Sequence, residues 1–200
     1  KEIETIYSEV QDFRYLVNKK SRKKTFQKSL DQISPYLPDK GSLLEVGSYC
    51  GFFLESFQKK YPNWDYIGVE PSKWASEYAR SQLNINTITG TLEDNINVLA
   101  QDYDIAVAWD VLEHLKDPLG FLIQINSRIK LNGKFCFSTL DIDNWLPKLM
   151  GKHWPWLMEM HLFYFKSDTT EKLLNKAGFK IIESEKYIHY VSIHYLFGKI

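Results

Sequence analysis

Apolar residues Ile3, Ile6, Val10, Phe13 and Val17 recur at spacings of three and four, which places them on one face of a helix. Phe26, Leu30 and Ile33 repeat the pattern, and Pro35 and Pro38 end it. Between the two lies Lys19-Lys20-Ser21-Arg22-Lys23-Lys24, which reads as a solvated hinge between helices, with contact to a phosphorylated substrate as the alternative. From residue 41 the rhythm changes. Short apolar runs predict strands at 42–46, 66–69, 85–88, 105–109, 134–139 and 179–182. Helical periods predict helices at 52–60, 72–83, 118–129 and 169–176. Pro118 suits the start of one helix and Gly178 the end of another. Asn132-Gly133 reads as the turn before the 134–139 strand. Such alternation predicts an α/β fold, a doubly wound and mostly parallel sheet with helices on both faces. Residues 1–40 would form an N-terminal helical cap on a domain of residues 41–200.

The excursion at 141–166 is too rich in aromatic residues to be a linker. Trp154 or Trp156 is expected to wall a pocket, and Phe163 and Phe165 to pack in the core. In a parallel sheet the ligand crevice lies beyond the carboxyl ends of the strands, which directs attention to the residues that end each strand.

Composition narrows the picture. Of the 200 residues, 44% are hydrophobic, so the chain can bury a core without disulfides. Lys plus Arg and Asp plus Glu number 25 each, which leaves no bulk charge to attract nucleic acid or a membrane surface. Cys50 and Cys136 are too few for a disulfide framework, and no CxxC or Cys/His spacing suggests zinc, so no metal site is expected. No signal segment and no bilayer-length apolar run is visible, which makes a cytoplasmic setting the default expectation. Nothing in the sequence speaks to oligomeric state.

The first predicted strand runs into Glu45-Val46-Gly47-Ser48-Tyr49-Cys50-Gly51. Glycines at 47 and 51 permit a tight turn into a helix N-terminus beside a ligand. The middle glycine of a dinucleotide fingerprint is absent, and Tyr49 would crowd a pyrophosphate there. Glu45 at the strand's mouth repels phosphate and suits a sulfonium or ammonium group. Glu70 ends the second strand about 20 residues after Gly47, the place from which an acid reaches ribose hydroxyls. The alternative for Glu70 is an acid complementing the dipole of the helix that follows.

These pieces together resemble the class I S-adenosylmethionine-dependent methyltransferases, in particular the branch acting on small molecules. The resemblance covers roughly residues 40–183. It rests on the glycine turn, Gly68-Val69-Glu70-Pro71-Ser72, Gly90-Thr91-Leu92-Glu93, and Asp104 through Asp110. Leu131-Asn132-Gly133-Lys134 and His161-Leu162-Phe163-Tyr164-Phe165 are further family-like stretches. The most telling piece is Val111-Leu112-Glu113-His114-Leu115-Lys116-Asp117-Pro118. The resemblance implies a Rossmann-like fold and S-adenosyl-L-methionine as cofactor. It implies that Glu45 and the turn of Gly47, Tyr49 and Gly51 hold the methionine end. Glu70 would bind the ribose, with Pro71 beside the adenine and Leu92 and Glu93 framing it. Trp109 and Asp110 would line the methionine pocket. The sequence departs from the family at Tyr49, where many members carry a third glycine.

Methyl transfer to a hydroxyl benefits from a general base. His114, just after the predicted fourth strand, is the first candidate, with a structural role in the loop as the even alternative. His161 in the aromatic excursion is the second, and His153, Asp143 and Glu113 are weaker ones. The N-terminal helices are expected to cover the cofactor cleft, with Tyr15 and Arg14 as candidates to reach it, although the sequence does not show which way they point. The expected reaction is methylation of a small molecule or glycan, on oxygen. The competing readings are a nucleotide-cofactor oxidoreductase on a similar fold and a binding module without catalysis.

Overall fold

The computed structural model describes residues 11–190, so Ile3, Ile6 and Val10 of the first apolar face lie outside the described residues. Its sheet has the strands β1 (Ser42–Val46), β2 (Asp65–Glu70), β3 (Thr87–Thr89), β4 (Tyr103–Trp109) and β5 (Ile129–Ser138). They lie in the order β3-β2-β1-β4-β5, and every neighbouring pair is parallel. The helices are α1 (Phe13–Val17), α2 (Lys19–Ile33), α3 (Phe52–Lys60), α4 (Lys73–Leu83), α5 (Leu92–Asn95), α6 (Pro118–Asn126), α7 (Trp145–Met150) and α8 (Ser167–Lys176). This is the parallel α/β architecture the alternation predicts and the Rossmann-like fold the family resemblance implies. Among the described residues no helix is long and apolar enough to cross a membrane.

The two-residue period of the strands divides them between two cores. Leu43, Ile105 and Val107 pack with Phe26, Leu30, Phe53 and Phe57 on one side of the sheet. Leu44, Val46, Ala106 and Ala108 pack with Leu122, Ile125 and Leu174 on the other. Burial of both faces explains why residues 105–109 of β4 read as an unbroken apolar run. Phe26, Leu30 and Ile33 of α2 join the same core as the sheet, so α2 is continuous with the domain it covers.

Local signals place most helix ends. The Ser72 hydroxyl accepts the Ala75 N–H at the start of α4, and Pro118 opens α6 behind an Asp117 cap. After α8, Gly178 at φ 86° lets its own N–H reach the Asn175 carbonyl and the Phe179 N–H reach that of Leu174.

Four expectations are corrected. The basic run is the opening of α2, and the break between helices falls at Asn18. Its cations tolerate helical neighbours because they have partners: Lys23 pairs with Glu55, and the Arg22 guanidinium lies 4.9 Å from the Tyr15 ring centre. Phe13 and Val17 are 62% and 77% exposed, because so short a helix turns Tyr15 and Leu16 toward the core instead. The 179–182 stretch forms no strand. Only Phe179 packs against the core, Ile181 and Ile182 are exposed, and the stretch does not pair with the edge strand β5. Asn132-Gly133 is an irregularity inside β5 rather than a turn before it. Tyr103 and Ile105 pair with Ile129 and Lys134, so extra β5 residues loop out, with Asn132 at φ 68°.

Candidate functional site

The carboxyl ends of β1, β2 and β4 open into a cavity of about 810 Å³, ample for a nucleoside-sized ligand. The turn after β1 is a series of left-handed residues, Gly47 at φ 75°, Tyr49 at 44° and Gly51 at 74°. The Gly47 N–H donates to the Val69 carbonyl at 2.8 Å, and a Cβ on Gly47 would stand 2.6 Å from a Val111 methyl group. Gly51 does not line the cavity. It caps α3 and allows close approach to Ala79 and Ile85, so its role is packing. Tyr49 does line it. Its N–H donates to Glu70 Oε2 at 2.7 Å, its hydroxyl accepts the Asp12 N–H at 3.1 Å, and its ring meets Tyr15 edge-on at 4.6 Å. Those contacts offset the strain of a non-glycine residue in this conformation.

Glu45 is 2% exposed, and its Oε2 is buried with no hydrogen-bond partner. Burial, with Glu70 nearby, pushes its carboxyl well above the usual carboxylate range. Glu70 accepts the Tyr49 and Ser72 N–H groups, each at 2.7 Å, one on each oxygen. Burial raises its pKa to about 7 despite those two bonds. Pro71, buried Leu92 and exposed Glu93 complete this side of the cavity.

The raised carboxyls have a consequence for stability. In the free protein Glu70 keeps its proton at pH values where the unfolded chain has lost it. The contribution of Glu70 to stability is therefore fully present below the ordinary value of 4.5 and is lost as pH rises through about 7. The difference amounts to about 3 kcal/mol. Urea unfolding at pH 5 and pH 8 is expected to show Glu70→Gln losing less stability than the wild type as pH rises. Parallel pH dependences would contradict a raised Glu70.

At the end of β4 the Trp109 ring rests 5.2 Å from Phe53 and lies parallel to Tyr187 at 5.8 Å. Asp110, at φ 56°, accepts the Ser138 hydroxyl at 2.6 Å and meets His189 Nε2 at 2.9 Å. Burial alone would raise the Asp110 carboxyl, but His189 and Ser138 outweigh it and hold it below the usual range.

His114 and His161 also line the cavity, with ring centres 4.7 Å apart. Their Nδ1 atoms sit 3.0 Å from the Met160 carbonyl and 2.8 Å from that of Trp156. A carbonyl only accepts, so each Nδ1 carries the proton. Burial, opposed by the Met160 bond, lowers the His114 pKa. Glu113 also lines the cavity, and burial with Asp110 nearby pushes its carboxyl up to about 8.

The remaining candidates divide. Trp156 and Tyr15 line the cavity, whereas Trp154 is buried beneath Tyr164 and Arg14 is not part of the wall. Asp143 pairs with Lys148 and Lys166 on the surface, and His153 is exposed away from the site. Phe165 is core, but Phe163 is 39% exposed, stacked on the outer side of Phe165. Sequence reasoning missed Arg22, Tyr187 and His189, all of which line the cavity. Arg22 had a signal, since it stands four residues before buried Phe26 and so shares its helix face. Tyr187 and His189 had none.

Residues 19–184 match a family model described as a methyltransferase domain. Over 114 residues the chain is 30% identical to a ubiquinone biosynthesis O-methyltransferase of Erwinia tasmaniensis, covering 54% of this chain and 47% of that protein. The chain thus spans about half the length of the curated relatives it matches. Among solved structures, a SAM-dependent methyltransferase from Archaeoglobus fulgidus superposes with a TM-score of 0.68 at 19% identity, over 84% of this chain and 75% of that one. A magnesium protoporphyrin IX methyltransferase from Synechocystis, with bound SAH, gives 0.66 at 15% identity, over 92% and 88%. At these identities the structural likeness is one of fold.

Proposed function

Because the chain belongs to the methyltransferase-domain family, we propose that it transfers a methyl group from S-adenosyl-L-methionine to an oxygen of a small molecule or glycan. The observation that carries this reading is the orphaned Glu45 carboxylate at the glycine turn. A buried acceptor without a partner is costly, and a cationic ligand or ligand N–H relieves it. Glu45, Glu70, Asp110 and Glu113 all line the cavity, which suits a ligand bearing sulfonium and ammonium charges. Asp110 is held ionised, and an anionic pyrophosphate would keep the raised carboxyls from ionising whereas a cationic ligand favours it, which counts against an oxidoreductase using a dinucleotide.

When bound, the cofactor supplies a methyl group already activated by its sulfonium. The protein's share is positioning and exclusion of water. Each Glu70 oxygen holds one backbone N–H and has a further lone pair for a ribose hydroxyl. Pro71, Leu92 and Glu93 stand where an adenine extends beyond that ribose. Glu45, Gly47, Trp109 and Asp110 surround the methionine end, with Tyr49 closing the turn. His114 and His161 face the acceptor and are assigned the activation of its hydroxyl. The O-methyltransferase name of the relative supports oxygen as the acceptor atom, and the rings of Trp156 and Tyr187 suit a substrate with a flat face.

Calorimetric titration with S-adenosylmethionine and with NAD tests the cofactor, and labelled methyl transfer into fractionated cell extract tests the reaction. One equivalent of S-adenosylmethionine is expected to bind. Binding of NAD in its place would overturn the reading. Glu70→Ala is expected to weaken cofactor binding by about 1.5–3 kcal/mol, roughly 10- to 150-fold, the range for a hydrogen bond to a charged group. Unchanged affinity in a folded variant would remove Glu70 from the ribose role.

A further inference from the structure

Glu113, His114 and His161 each place one metal-ligating atom within 4.8 Å of the other two. Glu113 and His114 come from the turn after β4, and His161 from the aromatic excursion. The two segments are tied together, since the Glu113 carbonyl accepts the N–H groups of Leu162 at 2.8 Å and Phe163 at 3.1 Å. Each imidazole directs Nδ1 to a main-chain carbonyl, of Met160 or Trp156. Metal-binding histidines have this outer support, which fixes the ring and makes Nε2 the ligating nitrogen. Glu113 is only 1% exposed, and the Thr139 hydroxyl donates to its Oε2 at 2.9 Å. A carboxylate so buried gains from a cation beside it. All three residues line the cavity.

We infer that Glu113, His114 and His161 bind one divalent transition-metal ion, with an open coordination position toward the acceptor. Two imidazoles and a carboxylate are the donor set of a zinc-like ion rather than of calcium or magnesium, which prefer oxygen. Bonds of about 2.0–2.2 Å require the ligand atoms to draw in by roughly an ångström. Sequence spacing could not show this cluster, because its third member reaches it only through the fold. That the open position faces an acceptor oxygen rests on the methyltransferase reading. The capacity to hold an ion does not.

The full chain, stripped with a chelator, is titrated with Zn²⁺ by calorimetry and with Co²⁺ by visible absorption. One equivalent of each is expected, with ligand-field bands from the cobalt form. His161→Gln and Glu113→Gln should each weaken Zn²⁺ binding by more than the roughly 10- to 100-fold that follows loss of a group merely supporting a ligand. His153→Gln, at an exposed histidine outside the cavity, should leave it unchanged. Thermal melts report folding, and if Glu113→Gln fails to fold, the half-buried His161 carries the test. Absence of stoichiometric binding, or equal affinity in His161→Gln, overturns the inference. Titrating S-adenosylmethionine into the same stripped protein separates the two readings. Cofactor binding without metal binding removes the metal site and leaves the methyltransferase. Metal binding without cofactor binding does the reverse.

Discussion

Gly47→Val is expected to reduce S-adenosylmethionine binding below detection, the largest effect on the cofactor of any single change considered. Gly47 has φ 75°, a conformation that a β-branched residue adopts only with strain. The added Cβ would also stand 2.6 Å from the Val111 methyl group, so the turn, Val111 or both must move. Val111 follows Asp110 directly, and the movement therefore spreads from the β1 mouth to the β4 mouth. Displacing a positioning backbone by about an ångström is enough to cost 100-fold in a preorganised site. Stability should fall by about 1–3 kcal/mol from the strained conformation. Gly47→Ala shares the φ penalty with a smaller side chain and should fall between wild type and the valine variant. Calorimetry and thermal melts on both variants separate lost binding from lost folding. Near-normal affinity in a folded Gly47→Val protein would mean that this turn is not the cofactor loop.

His114→Asn is expected to lower turnover by roughly 10²- to 10⁴-fold while leaving cofactor affinity about unchanged. The histidine lines the cavity from the turn after β4, whereas Glu70 ends β2, and its ring stands against His161. The Asn side-chain amide can still donate to the Met160 carbonyl, so the loop keeps its anchor while the second imidazole nitrogen is lost. The same outcome holds if the ring serves the acceptor as a metal ligand, and added Zn²⁺ should then restore little of the rate. The readout is labelled methyl transfer beside calorimetry on one preparation. A large loss of cofactor affinity in a stable His114→Asn protein would move this residue from the acceptor to the architecture of the loop.

The legible part of the site is the part written in strand ends. Glu45, Gly47 and Glu70 were legible as cavity-lining residues because each lies at the end of a strand or begins the turn after it, and a parallel sheet brings such positions to one edge; Trp109 and Asp110, which the family resemblance supplied, line the cavity from the end of β4. Gly51 was legible as a turn residue but not as one turned away from the cavity, since the distinction depends on Ala79 and Ile85 of a later helix and loop. The aromatic excursion was legible as ordered, but which ring faced inward was not. Trp154 and Trp156 are two residues apart in similar company, and only Trp156 reaches the cavity.

By itself the sequence determined β1, α3, the caps of α4, α6 and α8, and the two-sided burial of β4. These depend on backbone preferences and apolar periods within a few residues of each other, and no distant contact overrides them. The tertiary structure alone decided three other matters. The exposure of Phe13 and Val17 depends on which helix face the core offers a place to. The absence of a strand at 179–182 depends on whether the stretch pairs with the sheet edge, which its local apolar run does not settle. The meeting of His161 with Glu113 and His114, and of His189 with Asp110, joins segments far apart in the chain. Burial, pairing and convergence are properties of what a residue packs against, and a local pattern carries no record of a partner that only folding brings near.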